Sequence, residues 1–300
     1  MRTLITVTGM SSSRAPAPPP LLVLTAVVSV QFGGALAATL VPQIGAAGSV
    51  TLRLLFATLI LLAIARPSLR GHRAAAWRTV VAFGLALGLM NLAFYASLTH
   101  LPIGVAVTVE FLGPLTLATV LARRARDLLA VAAAAAGVIL ISRALQVPLA
   151  QIEWTGLGLA ALAGACWAGY ILASGRAGTE FAQLDGLALA MTVAFVVTLP
   201  LGLPTVPTWT GESVAKGLGI AVLSSVLPYS LELAALRHLT ARAFGVLLSL
   251  EPAAAAVAGF LVLHQRLTPM QLTGMALVVL ASVLVMGGAG QRRDPAAQGA

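Results

Sequence analysis

Four ionisable side chains, Arg53, Glu110, Glu232 and Glu251, lie within long aliphatic runs, where a charge needs a reason. At the centre of a membrane helix such a group costs about 2.5–3.5 kcal/mol on insertion scales. Glu110 has two readings. It is a carboxylate that binds a proton or a substrate ammonium, or it is half of a permanent ion pair with Arg53 that fixes helix packing. Arg53 is correspondingly either the balancing charge or the partner of a substrate carboxylate. Glu232, Glu251, Pro114 and Pro252 read as gating or structural positions. A proline inside a helix cannot donate a backbone hydrogen bond and frees a carbonyl. Near a bilayer midplane that carbonyl can meet a polar ligand, or the proline can simply kink the helix. Pro228 is read in the same way.

The uncharged candidates are Gln31, Asn91, Tyr95, Trp167, Tyr170 and Tyr229. The amides sit near the middles of their runs, and the aromatic rings could form a cavity wall or a cation–π surface for an ammonium group. For each ring, packing against lipid or core is the alternative. Trp167 and Tyr170, spaced i,i+3, share a helix face. Gly84 and Gly88 permit close helix approach. Enzyme chemistry finds little support. The histidines His72, His100, His238 and His264 fall in loops or at run ends without metal-ligand spacing, and there is no Gly-rich phosphate loop. Neither a metal nor another cofactor is expected.

These residues must be positioned by helices whose solvent is lipid. Of 300 residues, 59% are hydrophobic and only 9% charged, against roughly 25% charged in a soluble domain. The net charge of +9 comes from sparse arginines between apolar runs, with no basic stripe interleaved with aromatics, so nucleic acid is not an expected partner. One cysteine, Cys166, excludes an intrachain disulfide. Apolar runs predict spans at 21–41, 46–65, 79–98, 103–122, 128–145, 155–174, 186–204, 215–235, 243–263 and 269–286. With the N-terminus inside, 14 of the 18 basic residues fall on the cytoplasmic side. Arg143, Lys216 and Arg266 fall outside, and Arg53 lies within a span. This bias fits ten spans with both termini cytoplasmic in a bacterial plasma membrane.

A shift of 138 residues superposes His100 on His238, Leu101 on Leu239, Leu112 on Leu250 and Pro114 on Pro252. It carries span four onto span nine, and an odd step of five spans requires the second half to be inverted. The expected fold is therefore an all-α membrane protein of ten transmembrane helices in two inverted five-helix repeats, the pattern of secondary transporters. The repeats cover 21–145 and 155–286, between a disordered cytoplasmic tail at 1–20 and another at 287–300.

Five stretches carry a family resemblance: Val50–Ala63, Gly88–Pro114, Gly164–Leu172, Leu223–Leu236 and Arg242–Gly259. They resemble the drug/metabolite transporter superfamily, EamA type, and within it the threonine/homoserine exporter (RhtA-like) group. The resemblance runs from about residue 21 to 286. It implies export of small metabolites in exchange for protons, and puts Arg53, Asn91, Tyr95, Glu110, Trp167, Tyr229, Glu232 and Glu251 at motif positions. One departure stands out: where the family has an acid before Leu-Thr, this chain has Gln265. The expectation is a secondary exporter of small amino acids, with Glu110 as the proton-coupling acid. Arg53, Gln31, Asn91, Tyr95, Glu110, Trp167, Tyr170 and Tyr229 are the expected substrate-binding residues. The same scaffold could export another metabolite or a drug. A passive channel or a membrane scaffold is the reading from another class, and the oligomeric state is open.

Overall fold

The computed structural model describes residues 18–122, 124–142, 144–148, 152–254, 257 and 268–289. Most of both expected tails, most of the far half of the ninth span, and Gln265 lie outside the described residues. The described residues form helices joined by short turns and loops, with no strand among them. The helices are α1 (Pro19–Ala65), α2 (Ala74–Ser97), α3 (Ile103–Val120), α4 (Ala125–Ser142) and α5 (Trp154–Glu180). They continue as α6 (Asp185–Gly202), α7 (Gly211–Ala221), α8 (Leu227–Leu236), α9 (Ala241–Leu248) and α10 (Pro269–Ala289). A π-helical segment, Val222–Val226, joins α7 to α8 into one span.

Six segments are long and apolar enough to cross a bilayer, and Pro19–Gly34, Val105–Val120 and Pro269–Leu284 are shorter apolar helices. With α9 as the base of the ninth span, these correspond to the ten expected spans. The protein is an all-α membrane protein, and its outer surface shows why. Leu21, Leu24, Val28 and Phe32 are exposed along one face of α1, while Val23, Ala26 and Val27 are buried. In water such a face would be a liability; in lipid it is the solvated one.

The first two spans depart from expectation in their join. The sequence reading left residues 42–45 as a loop, but helix runs through Pro42, and Gly45 alone is non-helical, at φ 73° and ψ 169°. Glycine tolerates that positive φ at little cost. The chain folds back there. Gly34 and Arg53 line one cavity, although 19 positions along a straight helix would set them about 28 Å apart.

Contacts at the helix ends agree with the alternation of the ten spans. His100 Nδ1 lies 2.9 Å from Glu153 Oε2, and Lys216 Nζ lies 2.6 Å from Glu212 Oε1. All four residues belong to one predicted face. Arg242 Nη1 donates to Asp127 Oδ2 at 2.6 Å, and Arg237 donates to the carbonyls of Gly178 and Gln183. All five belong to the opposite face. Among the described residues none of these pairings crosses between faces.

The 138-residue register recurs in the backbone. His100 and Leu101 N–H both donate to Ser97 O, at 3.0 and 2.9 Å. His238 and Leu239 N–H both donate to Ala235 O, at 2.9 and 2.8 Å. Pro102 then caps α3 and Thr240 caps α9, with Ala106 and Phe244 N–H donating to their carbonyls at 3.1 and 3.0 Å. The matched histidines thus mark the same helix–turn–helix corner in each half.

Small residues set how closely the helices pack. A Cβ on Gly113 would stand 1.9 Å from Gly164 O, and one on Gly137 would stand 2.7 Å from Gly274 O. A Cβ on Gly84 would stand 2.5 Å from Ala190 O, so the spacing singled out in α2 does serve a close helix crossing, against α6. The central cavity lies between these seams.

Candidate functional site

The cavity has a volume of about 220 Å³. The first half contributes Arg53 from α1, Asn91 and Tyr95 from α2, and Glu110 from α3. The second half contributes Trp167 from α5, Ser224, Tyr229, Glu232 and Glu251. Val30, Gly34, Met90 and Phe94 complete the wall. Residues from at least six segments of sequence therefore converge on one space.

Arg53 is 6% exposed and makes no ion pair with a carboxylate among the described residues. Its Nη2 donates to Asn91 Oδ1, and Asn91 Nδ2 donates to Leu87 O at 2.8 Å, which fixes the amide. Arg53 Nε has no hydrogen-bond partner among the described residues. The permanent Arg53–Glu110 pair expected under the packing reading is absent here. A buried guanidinium with spare donors is suited to receive a carboxylate or another anionic group.

Glu110 is 9% exposed and is placed by backbone geometry. Pro114, four residues on, cannot donate to the Glu110 carbonyl. Gly164 packs against that carbonyl so closely that a Cβ there would stand 2.6 Å from the oxygen. Neither Pro114 nor Pro252 lines the cavity; both shape the segments that do. Ahead of Glu251, α9 ends in a tight turn, with Ser249 and Leu250 N–H donating three residues back to Val246 and Leu247 O at 3.1 Å each. Helix resumes at Glu251.

Two expected binding residues stand behind the wall rather than in it. Gln31 Nε2 reaches the Glu251 carbonyl at 3.4 Å and so ties α1 to the turn after α9. Tyr170 is fully buried, and its hydroxyl donates to Glu232 Oε2. Its ring packs between Phe83 and Tyr229, with centroids 5.5 and 5.6 Å away. Trp167 does line the cavity, braced edge-on by Phe111 at 4.8 Å. Glu232 and Glu251, read from sequence as gating or structural, line the cavity as well.

Ser224 was not among the sequence candidates; the available signal was Pro228. In an α-helix Pro228 would leave the Ser224 carbonyl without its donor. Here Leu227 N–H bonds to Val222 O, five residues back, so the orphaned carbonyl shifts to Leu223. Ser29 Oγ donates to that carbonyl at 2.7 Å. The wide turn exposes Ser224 to the cavity, where α1 passes so near that a Cβ on Gly33 would meet Ser224 Oγ at 1.9 Å. Among the described residues no cluster of His, Cys, Asp or Glu is placed to hold a metal ion.

The site therefore holds three carboxylates, one guanidinium, two phenols and an indole around a small space. Such a set can bind a dipolar molecule and protons. Comparison with known proteins gives the arrangement its context. The sequence pattern of the EamA-like transporter family matches residues 154–287. The threonine/homoserine exporter RhtA of Escherichia coli (strain K12) is 39% identical over 271 residues, covering 88% of this chain and 90% of that protein. The RhtA of Salmonella typhimurium (strain LT2) shows the same identity and coverage. A crystal structure sharing 16% identity superposes with a TM-score of 0.75 over 92% of this chain and 99% of the other, a likeness of fold. With identity of this order over most of both chains, the protein belongs to the EamA-like transporter family and is a multi-pass membrane transporter, not an enzyme.

Proposed function

We propose that the chain exports small amino acids, threonine and homoserine foremost, across the bacterial plasma membrane in exchange for protons. The observation that carries the reading is the cavity's charge set: Arg53 against Glu110, Glu232 and Glu251, inside about 220 Å³. That volume lies below the roughly 300–1,000 Å³ of drug-sized sites, which favours a small metabolite over a drug. A zwitterion matches the charges at both ends, its carboxylate on Arg53 and its ammonium on Glu110. Trp167 and Tyr229 offer ring faces to the ammonium. Burying three carboxylates with one guanidinium leaves negative charge that a proton or a cationic group must offset. The RhtA relatives are named for threonine and homoserine, which agrees with this size and charge.

Glu110 is the acid assigned to the proton or the ammonium, and Arg53 takes the carboxylate. Asn91, which holds Arg53, and Tyr95 complete the first-half wall. The two halves, inverted repeats at 21–145 and 155–286, rock about the cavity to expose it alternately, with both termini cytoplasmic. In proteoliposomes of the full chain, saturable threonine counterflow is expected, with Glu110→Gln inserting normally but losing about tenfold or more of its proton-driven threonine export. A Glu110→Gln protein that keeps wild-type export with unchanged pH dependence would refute the assignment. Export of larger toxic compounds in preference to amino acids would favour the drug reading.

A further inference from the structure

We propose that Glu232, held by Tyr170, is a second proton-carrying acid of the cavity, separate from the acid that meets the substrate, and that it trades its proton with the membrane face on which α8 ends. This rests on the proton-coupled export reading above. Glu232 is only 4% exposed yet lines the cavity near the end of α8, so it touches the shared space while remaining deep in protein. Its carboxylate has a dedicated donor in Tyr170, whose ring is clamped between Phe83 and Tyr229. A phenol held this firmly fixes where the carboxylate points in either protonation state.

Beyond Tyr170 the same face of α5 continues toward the membrane surface. Ser174, four residues on, is fully buried with a hydroxyl that has no hydrogen-bond partner among the described residues. An orphaned hydroxyl in such a place suits a passing water. Four residues further, the Gly178 carbonyl accepts from Arg237 Nε at 3.1 Å where α8 ends. Tyr170, Ser174 and Gly178 thus set polar groups at one-turn intervals from the cavity to that face.

Among the described residues, the charged and titratable groups that act on Glu232 or on its neighbours are these. Tyr170 reaches it from α5, Tyr229 from its own helix, and Glu251 from the segment after α9. Glu110 on α3 acts on Glu251, and Arg53 and Asn91 act on Tyr229. From α9, Arg242 is engaged by Asp127. The helix α6, also packed against α8, gives the cavity no lining residue. What distinguishes Glu232 from the other two lining acids is its hydroxyl contact with Tyr170.

The test uses full-length protein in proteoliposomes with threonine as the probe. Counterflow exchanges substrate for substrate and needs no net proton release, whereas pH-gradient-driven transport does. Glu232→Gln is expected to keep counterflow within about threefold of wild type while losing about tenfold or more of gradient-driven transport. Glu232→Asp should recover part of that loss. Tyr170→Phe should keep counterflow and move the midpoint of the pH profile by about half a unit or more. Glu232→Gln that keeps gradient-driven transport, or loses both modes while still folded, overturns the proposal. Should Glu232→Gln fail to fold, a wild-type pH profile in Tyr170→Phe overturns it instead. Wild-type vesicles lacking threonine counterflow, or showing it without any response to a pH gradient, would sink the export reading itself before any variant is compared.

Discussion

The third span, α2, and the eighth, α7 to α8, hold corresponding places in the repeat, yet they are built differently. The former runs 24 residues without interruption and presents Asn91 and Tyr95. The latter is interrupted by a π turn ahead of Pro228 and presents Ser224, Tyr229 and Glu232. One steadies the cavity's guanidinium, the other brings an acid. The contrast extends to the halves as wholes. The first supplies Arg53 together with Glu110, while the second supplies acids and aromatic rings without a basic group among its lining residues. The helix–turn–helix corners repeat closely, but the chemistry does not. A cavity with matching halves would offer the same groups from either side; this one has its guanidinium, Arg53, in the first half alone.

The largest effect is expected where the halves are pressed together. In Gly113→Val the new Cβ would meet a backbone oxygen at 1.9 Å, and a backbone cannot rotate aside as a side chain can. The α3–α5 seam would have to open, carrying Glu110 away from Trp167. Loss of the monodisperse species in detergent size-exclusion is the expected outcome. A variant that folds and transports normally would show that the seam is not what brings the two halves' residues together.

Next comes the asymmetry itself. Arg53→Gln keeps a polar side chain beside Asn91 but removes the guanidinium. Transport is expected to fall roughly 100-fold, about 2.7 kcal/mol of lost stabilisation, with normal membrane insertion. Arg53→Lys should recover only part, because an ammonium cannot engage Asn91 and a carboxylate through one planar fork. If Arg53→Gln transports threonine within about threefold of wild type, the guanidinium does not hold the substrate and the asymmetry between the halves is not what orients it.

Much of this was legible in the sequence, because lipid imposes strict rules. Hydropathy located the spans, since every spanning segment must be apolar and satisfy its own backbone. The rarity of charge singled out Arg53, Glu110, Glu232 and Glu251 before any geometry was known, and all four line the cavity. What depended on helix rotation and backbone register was not legible. Trp167 and Tyr170 are three residues apart and so about 60° apart around the helix. That angle puts one ring in the cavity and turns the other onto Glu232. Gln31 sits at the expected depth, but its amide is used by the Glu251 carbonyl. Ser224 was hidden because apolar periodicity cannot reveal that a turn has widened by one residue. The join at Gly45 was misplaced because a positive φ at one glycine reverses the chain without a loop's worth of polar residues.

The smallest effect tests the π turn that separates the two corresponding spans. Ser29→Ala removes the donor to the Leu223 carbonyl, which Pro228 cannot replace. Hydrogen bonds between membrane helices average about 0.6 kcal/mol and reach about 1.7, so a fall in Tm of roughly 1–6 °C is expected. Pro228→Ala restores an N–H five residues beyond Leu223, or four beyond Ser224 if the turn tightens to α. In the Ser29→Ala background it should therefore recover stability, because the orphaned carbonyl regains a partner within its own helix. Additive losses in the double variant would mean that Ser29 acts through packing against α8 and not through the carbonyl. The matching span α2 contains no proline. Its Asn91 Nδ2 donates to a carbonyl already served by the helix, so losing that bond orphans no acceptor. Widening therefore costs this fold an extra interhelical bond only in the half where it brings Ser224 to the cavity.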